Sequence, residues 1–163
     1  MGASGSVALT PVERLGHTVA LFAGQVGALA ARTPNREVGP AWGPLEALVH
    51  VTVWHETYAA TVRALLDGRR PDLPRGEYAE INAAALAREW TCPPARLVAR
   101  LLRAQVALEE LAPRADAAGL RFAFKAGATA RPWPAALAVV ERHVRGHLEE
   151  ATWTRAPTRT RAT

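Results

Sequence analysis

Residues 44–68 read "PLEALVHVTVWHETYAATVRALLDG", and the order of apolar and polar positions in this stretch decides the fold. Leu45, Leu48, Thr52, Ala59, Val62 and Leu66 recur at three-, four- and seven-residue intervals, which places them on one side of a helix. Pro44 suits the first helical position and Gly68 the residue just past the end. A second stripe, His50, Trp54 and Tyr58, runs at four-residue spacing along a more polar flank. The segment is therefore a bundle helix with one face for a core and a second that carries chemistry.

The same periodicity recurs on both sides of it. "TPVE" opens a first helix with Thr10 as N-cap, Pro11 at its first position and Glu13 placed to close a capping box. Val12, Leu15, Val19, Phe22, Val26 and Leu29 form its buried stripe, and "TPNREVGPAWGP" is a loop. "RRPDLPRG" leads into a shorter helix around "EYAEINAAALAREW". "TCPP" then starts a third long helix with Leu97, Leu101, Leu102, Leu108 and Leu111 inward. "PRADAAGLRFAFKAGATARPW" carries no helical period; Phe122 and Phe124 alternate with small residues, as in an extended segment, while its Gly and Ala content argues for a packed loop. The last helix runs from Pro134 to about Trp153, with Leu137, Val140, Val144, Leu148 and Ala151 inward. An antiparallel four-helix bundle follows, all-α, with an extra short helix and a long irregular loop before the last helix. Residues 10–154 form the domain; residues 1–9 and 155–163 are expected to be a flexible start and a flexible basic tail.

Composition narrows the class. One domain of 163 residues has enough chain for a real core. No apolar run approaches the roughly 20 residues that span a bilayer, and the first residues lack the basic-then-apolar order of a secretory signal. A cytoplasmic protein without membrane association is expected. The single cysteine, Cys92, excludes an intramolecular disulfide and a cysteine-based zinc finger. It precedes Pro93 at a helix start and lacks a partner base, so it reads as structural. The net charge of +5 raises nucleic acid as a partner. However, the basic residues are interleaved with Glu, as in "VERHVRGHLEE", which favours a solvated surface over a DNA site.

The chain has five histidines. His143 and His147 are one helical turn apart and project from one face. Such a pair can chelate a divalent cation, or stand as two solvated rings beside Arg142, Arg145, Glu149 and Glu150. Both residues border the Val140–Val144 side, which draws them toward the bundle interior. A catalytic metal needs a third ligand and an open position. His50 is the best candidate. His55 lies about 140° further round the same helix, so both cannot reach one ion, and His17 is a weaker option.

"WGPLEALVHVTVWHE" and "ERHVRGH" resemble the signatures of the DinB/YfiT-like superfamily on its second and last helices, over residues 8–153. The resemblance implies a four-helix bundle with a metal bound by His50, His143 and His147, which would be the catalytic residues. "LLDGRRPDLPRGEYAEINAAALAREW" is similar to the ClbS/DfsB branch, whose Asn-bearing helix matches Asn82, and also to the mycothiol-dependent maleylpyruvate isomerase-like branch. The first implies hydrolytic ring opening of a strained electrophilic natural product, for self-resistance. The second implies transfer or isomerisation with a low-molecular-weight thiol such as mycothiol. A third reading is a non-catalytic binder that sequesters a genotoxic metabolite or shields DNA.

Zn²⁺, Ni²⁺ and Fe²⁺ all suit imidazole ligands. Trp54 and Tyr58 line a substrate pocket or simply fill the core. Asn82 orients a polar group of substrate or caps a turn. Trp133 closes the mouth or packs as a plug. Glu46, one turn before His50, is either a hydrogen-bond partner to its ring or a surface residue. The expected partner is a small-molecule substrate, and the protein is a monomer or homodimer.

Overall fold

The computed structural model describes residues 8–33 and 43–153, with side chains up to residue 150. The expectations for residues 1–7, for most of the first loop, for Ala151 and for the basic tail lie outside the described residues. Five helices are described: α1 (Pro11–Arg32), α2 (Pro44–Leu66), α3 (Tyr78–Glu89), α4 (Pro94–Ala117) and α5 (Trp133–Trp153). Between α4 and α5 lies a two-stranded antiparallel ladder, β1 (Arg121–Phe122) with β2 (Arg131–Pro132). The four long helices make the expected bundle. No described helix is long and apolar enough to cross a membrane.

The helix ends form as their local chemistry dictates. Thr10 Oγ1 accepts from Glu13 N at 3.3 Å while Glu13 Oε2 accepts from Thr10 N at 2.7 Å, completing the capping box. Gly68 takes φ +68°, and Arg69 N donates to Ala64 O at 2.8 Å, as in a left-handed helix stop. α1 is the central strut, packing on α2, α4 and α5. Gly27 lets α1 approach α4 closely, since a β-carbon there would meet Val98 Cγ2 at 2.6 Å. The α1 stripe behaves as expected, with Leu15, Val19, Phe22 and Val26 fully buried. α5 lies along α1 and meets α2 only sparsely. That seam between α2 and α5 holds the site.

Two expectations about α4 are corrected. The helix continues through Pro113 to Ala117, into the start of the stretch expected to be a packed loop. A proline this near the C-terminus deletes one intrahelical bond, and the burial of Leu111, Ala112 and Ala115 holds the last turn in place. The stop comes at Gly119, φ +55°, with Leu120 N donating to Ala115 O at 2.9 Å. Leu102 is 40% exposed, not inward. The buried stripe runs Leu97, Leu101, Ala104/Gln105, Leu108, and Leu102 lies about 100° away from Leu101.

The irregular segment is better organised than its composition suggests. Phe122 is buried against Trp133, Phe124 and Tyr58, with ring centroids 6.1, 5.4 and 6.2 Å away. Trp133 N donates to Leu120 O and Ala126 N to Pro74 O, so the segment is tied to the start of α5 and to the α2–α3 loop. α3 buries only Ala85. Its C-terminal end is held by Arg100 on α4, which makes a two-pronged contact to Glu56 on α2 (2.8 and 2.7 Å) and reaches Glu89 at 2.6 Å.

Inside the bundle His55 is 1% exposed, with Nε2 3.2 Å from Gln105 Oε1. Burial, against the help of that hydrogen bond, lowers its pKa from 6.5 to about 4. The folded state thus refuses a proton that the unfolded chain accepts, and stability present above pH 6.5 is lost as pH falls toward 4. On the order of 2 kcal/mol should disappear between about pH 7.5 and pH 5 from this residue alone. Urea unfolding of wild type and His55→Gln at the two pH values checks this. The variant should lose markedly less, and parallel losses would show that His55 is not the responsible group.

Candidate metal centre

His50 on α2 faces His143 and His147 on α5 across the open seam. The three ring centroids form a nearly equilateral triangle, with sides of 5.0, 5.1 and 4.7 Å. All pairs meet edge to face, so no two rings stack. His50 Nε2 lies 2.7 Å from His143 Nε2, and one potential ligand nitrogen from each ring falls within 4.8 Å of the others. Among the described residues this is the one cluster of three or more His, Cys, Asp or Glu side chains that can hold a metal ion.

Helical geometry explains the convergence. His143 and His147 are one turn apart on α5, beside the buried Val140–Val144 edge that packs into the core. His50 is on the flank of α2 next to buried Leu48, Val49 and Val51 and is 6% exposed. The outer nitrogens have partners of their own. His50 Nδ1 is 3.1 Å from Asn82 Oδ1, and His147 Nδ1 is 3.1 Å from Glu150 Oε2. Burial, then the neighbouring His143 and His147, push the His50 pKa down to about 3 against the opposing Asn82 contact. His143 is exposed at one edge, and partial desolvation followed by the neighbouring His147 lowers its pKa as well. Neutral imidazole is the form that ligates.

These residues fit a divalent transition metal. The donor set is three neutral nitrogens, sufficient for a centre with an open position for water or substrate. His147 Nε2 is shielded from solvent within the triangle's surroundings. A carboxylate contacts one of the outer nitrogens, the arrangement that steadies ligating imidazoles in many metal sites.

A cavity of about 300 Å³ opens directly against the triad, lined by His50, Trp54, Tyr58, Tyr78, Asn82, Phe124, Val139, Val140 and His143. Its walls are mostly aromatic: Trp54 packs at 5.8 Å on Tyr58 and 5.7 Å on Tyr78, and Tyr58 at 5.4 Å on Phe124. Burial raises the Tyr58 hydroxyl well above its ordinary pKa, so it stays protonated. Beyond the triad a more open depression is lined by Val139, Arg142, His143, Gly146, His147 and Glu150. His143 and Val139 belong to both, so the histidines stand between an aromatic cavity and an open depression edged by Arg142 and Glu150.

Of the residues singled out in the sequence, His50, His143, His147, Trp54, Tyr58 and Asn82 meet here. Trp133 does not line the cavity. It is 2% exposed and packs on Phe122 as a plug, because the β1–β2 ladder carries it into the core at the start of α5. Glu46 is neither a surface residue nor the partner of His50: it is 8% exposed, and Asn82 occupies the Nδ1 side of the ring. His55 is turned to Gln105 and His17 is exposed, so neither joins the triad. Cys92 packs beside Arg100, with Sγ 4.0 Å from its Nη1. Tyr78, Phe124 and Val139 escape a reading of the sequence alone. Tyr78 sits in a short helix of weak periodicity, and the alternation of Phe124 with Phe122 marks an extended segment, not a cavity wall.

One equivalent of Co²⁺ or Zn²⁺ should bind, and His50→Ala and His143→Ala should each weaken it by more than about 100-fold, given that losing an outer partner alone costs roughly 10–100-fold. His55→Gln should bind as wild type does. Calorimetric titration of metal-free protein decides the matter, and equal affinity in all four proteins would remove the triad as the site. Compared with protein-family models, with curated proteins and with solved structures, the chain matches none.

Proposed function

We propose that this protein is a divalent-metal-dependent enzyme that adds a nucleophile to a compact electrophilic small molecule. The observation that carries the reading is the shared wall: His50 and His143 are at once members of the triad and lining of the aromatic cavity. A molecule held there lies against the histidines with no intervening layer of protein.

Zn²⁺, Ni²⁺ or Fe²⁺ at three imidazoles would acidify a water or thiol ligand to give a nucleophile near neutral pH, or polarise a carbonyl. The chain's own contribution is the rest. Trp54, Tyr58, Tyr78 and Phe124 bind a flat or unsaturated apolar body and exclude water from it. Asn82 supplies an amide beside the reacting end. The protonated Tyr58 hydroxyl remains a hydrogen-bond donor within the cavity wall. Ring opening of a strained electrophile by water, the activity implied by the ClbS-like features, fits this division, and detoxification in a producing cell would be its purpose.

One observation favours thiol transfer as a second reading. The depression on the far side of His143, with Arg142 at its edge, gives a larger polar co-reactant its own approach to the triad. Water needs no such depression, whereas a low-molecular-weight thiol does.

The two readings separate in one experiment. Metal-loaded protein is incubated with an aryl epoxide in ¹⁸O-labelled water, with and without thiol. Hydrolysis yields a labelled diol and needs no thiol; transfer yields a thioether and stops when thiol is withheld. In either case, chelation or His143→Ala should lower turnover at least about 100-fold, on the scale of losing an essential nucleophile-generating centre. Tyr58→Ala should raise KM more than it lowers kcat, since it removes cavity wall. Turnover indifferent to chelator and to His143 would overturn the proposal.

A further inference from the structure

Asn82 Oδ1 receives two contacts, from Trp54 Nε1 at 2.8 Å and from His50 Nδ1 at 3.1 Å. An indole nitrogen only donates, so the Asn82 atom opposite it must be the amide oxygen; the flipped amide would set N–H against N–H. An amide oxygen only accepts. The His50 nitrogen facing it therefore bears the ring proton. A neutral imidazole carries one such proton, so Nε2 holds a lone pair, and Nε2 is the atom 2.7 Å from His143 Nε2.

From this chain of donors and acceptors we infer that Trp54, acting through the Asn82 amide, selects the metal-binding tautomer of His50. Trp54 and Asn82 are positioning residues: both line the cavity, and the Trp54 indole meets the Asn82 oxygen that faces the outer nitrogen of His50. The need for Trp54 follows from α3. That helix buries only Ala85, and Asn82 is half-buried on it, so packing alone does not choose between the two orientations of its amide. The indole N–H makes the choice. Packing of the Trp54 ring on Tyr58 and Tyr78 holds that N–H in place. A phenylalanine would retain most of the ring contact and lose the donor, which is why the role can be separated from wall-building.

The inference rests on the metal-centre reading, but its first readout does not need metal. In metal-free, ¹⁵N-labelled protein at about pH 8, well above the ordinary imidazole pKa, the His50 ring should show a protonated Nδ1 and a bare Nε2. Trp54→Phe and Asn82→Leu should shift it toward a tautomer mixture and weaken Co²⁺ binding by roughly 10–100-fold, the usual loss for an outer partner. Asn82→Asp, whose carboxylate accepts from both donors, should keep the Nδ1–H form and the affinity. Circular dichroism and the unfolding midpoint confirm that each variant is folded. The contrast between Asn82→Asp and Asn82→Leu, made at one position, keeps the test valid if Trp54→Phe is unstable. Unchanged ring nitrogens and unchanged Co²⁺ affinity in Trp54→Phe and Asn82→Leu would overturn the inference. A change in Asn82→Leu alone would overturn the part assigned to Trp54. Wild type that shows the Nδ1–H ring yet binds no metal would leave the lock standing and remove the metal centre.

Discussion

The site depends on how α5 divides its packing. It lies along α1 and touches α2 sparsely, so the bundle is closed on three sides and open along one seam. In a bundle of uniform apolar stripes such a seam would collapse, because exposed hydrocarbon is the strongest force acting on it. Here it is bridged by three imidazoles at one point and lined by a layer of aromatic rings beside them. Rings are large and stiff, and they keep a cavity open that aliphatic chains would fill. The seam is then capped from outside by α3 and by the segment carrying Phe122 and Phe124, which are tied together through Ala126 N to Pro74 O and Lys125 Nζ to Gly76 O.

Two histidines on one helix show how position sets role. His50 and His55 are both buried, and burial lowers both pKa values. His55 points into the α2–α4 interface, where the Gln105 side chain satisfies it and Gln105 Nε2 passes on to Glu109 Oε1 at 2.8 Å. It is held by a polar chain that starts at buried Gln105 and leads out to exposed Glu109. His50, five residues earlier, points into the seam, where its inner nitrogen meets another imidazole. The same side chain serves structure in one place and is available for chemistry in the other, because about 140° of helix rotation directs them to different neighbours.

Much of this is legible in the chain. Capping at Thr10–Glu13, the stop at Gly68 and the stripes of α1, α2 and α5 are local properties, readable because backbone and periodicity act over one or two turns. The triad is legible for the same reason: His143–His147 is a spacing, and His50 stands on a polar flank among apolar neighbours. The misreadings share a cause as well. Leu102 reads as inward because it is a leucine, although its angle on α4 faces water. The stretch from Pro113 reads as loop, although the helix runs on through it to Ala117 with Ala115 buried. Glu46 is the nearest partner along the chain, whereas the partner in space, Asn82, is 32 residues away. The Arg100 contacts to Glu56 and Glu89 bridge three helices and leave no local trace at all.

The sequence by itself determined that four long amphipathic helices would form, where most of them would start and stop, and which three histidines lay on flanks able to meet. Those are consequences of spacing, capping and turn chemistry, all short-range. Only the tertiary structure decided that the seam between α2 and α5 would stay open, that an aromatic cavity would adjoin the triad, that Trp133 would be a plug, and that Asn82 would stand between Trp54 and His50. These outcomes depend on the relative placement of distant elements, which is set by how all the side chains fill space together and is written in no single stretch of the chain.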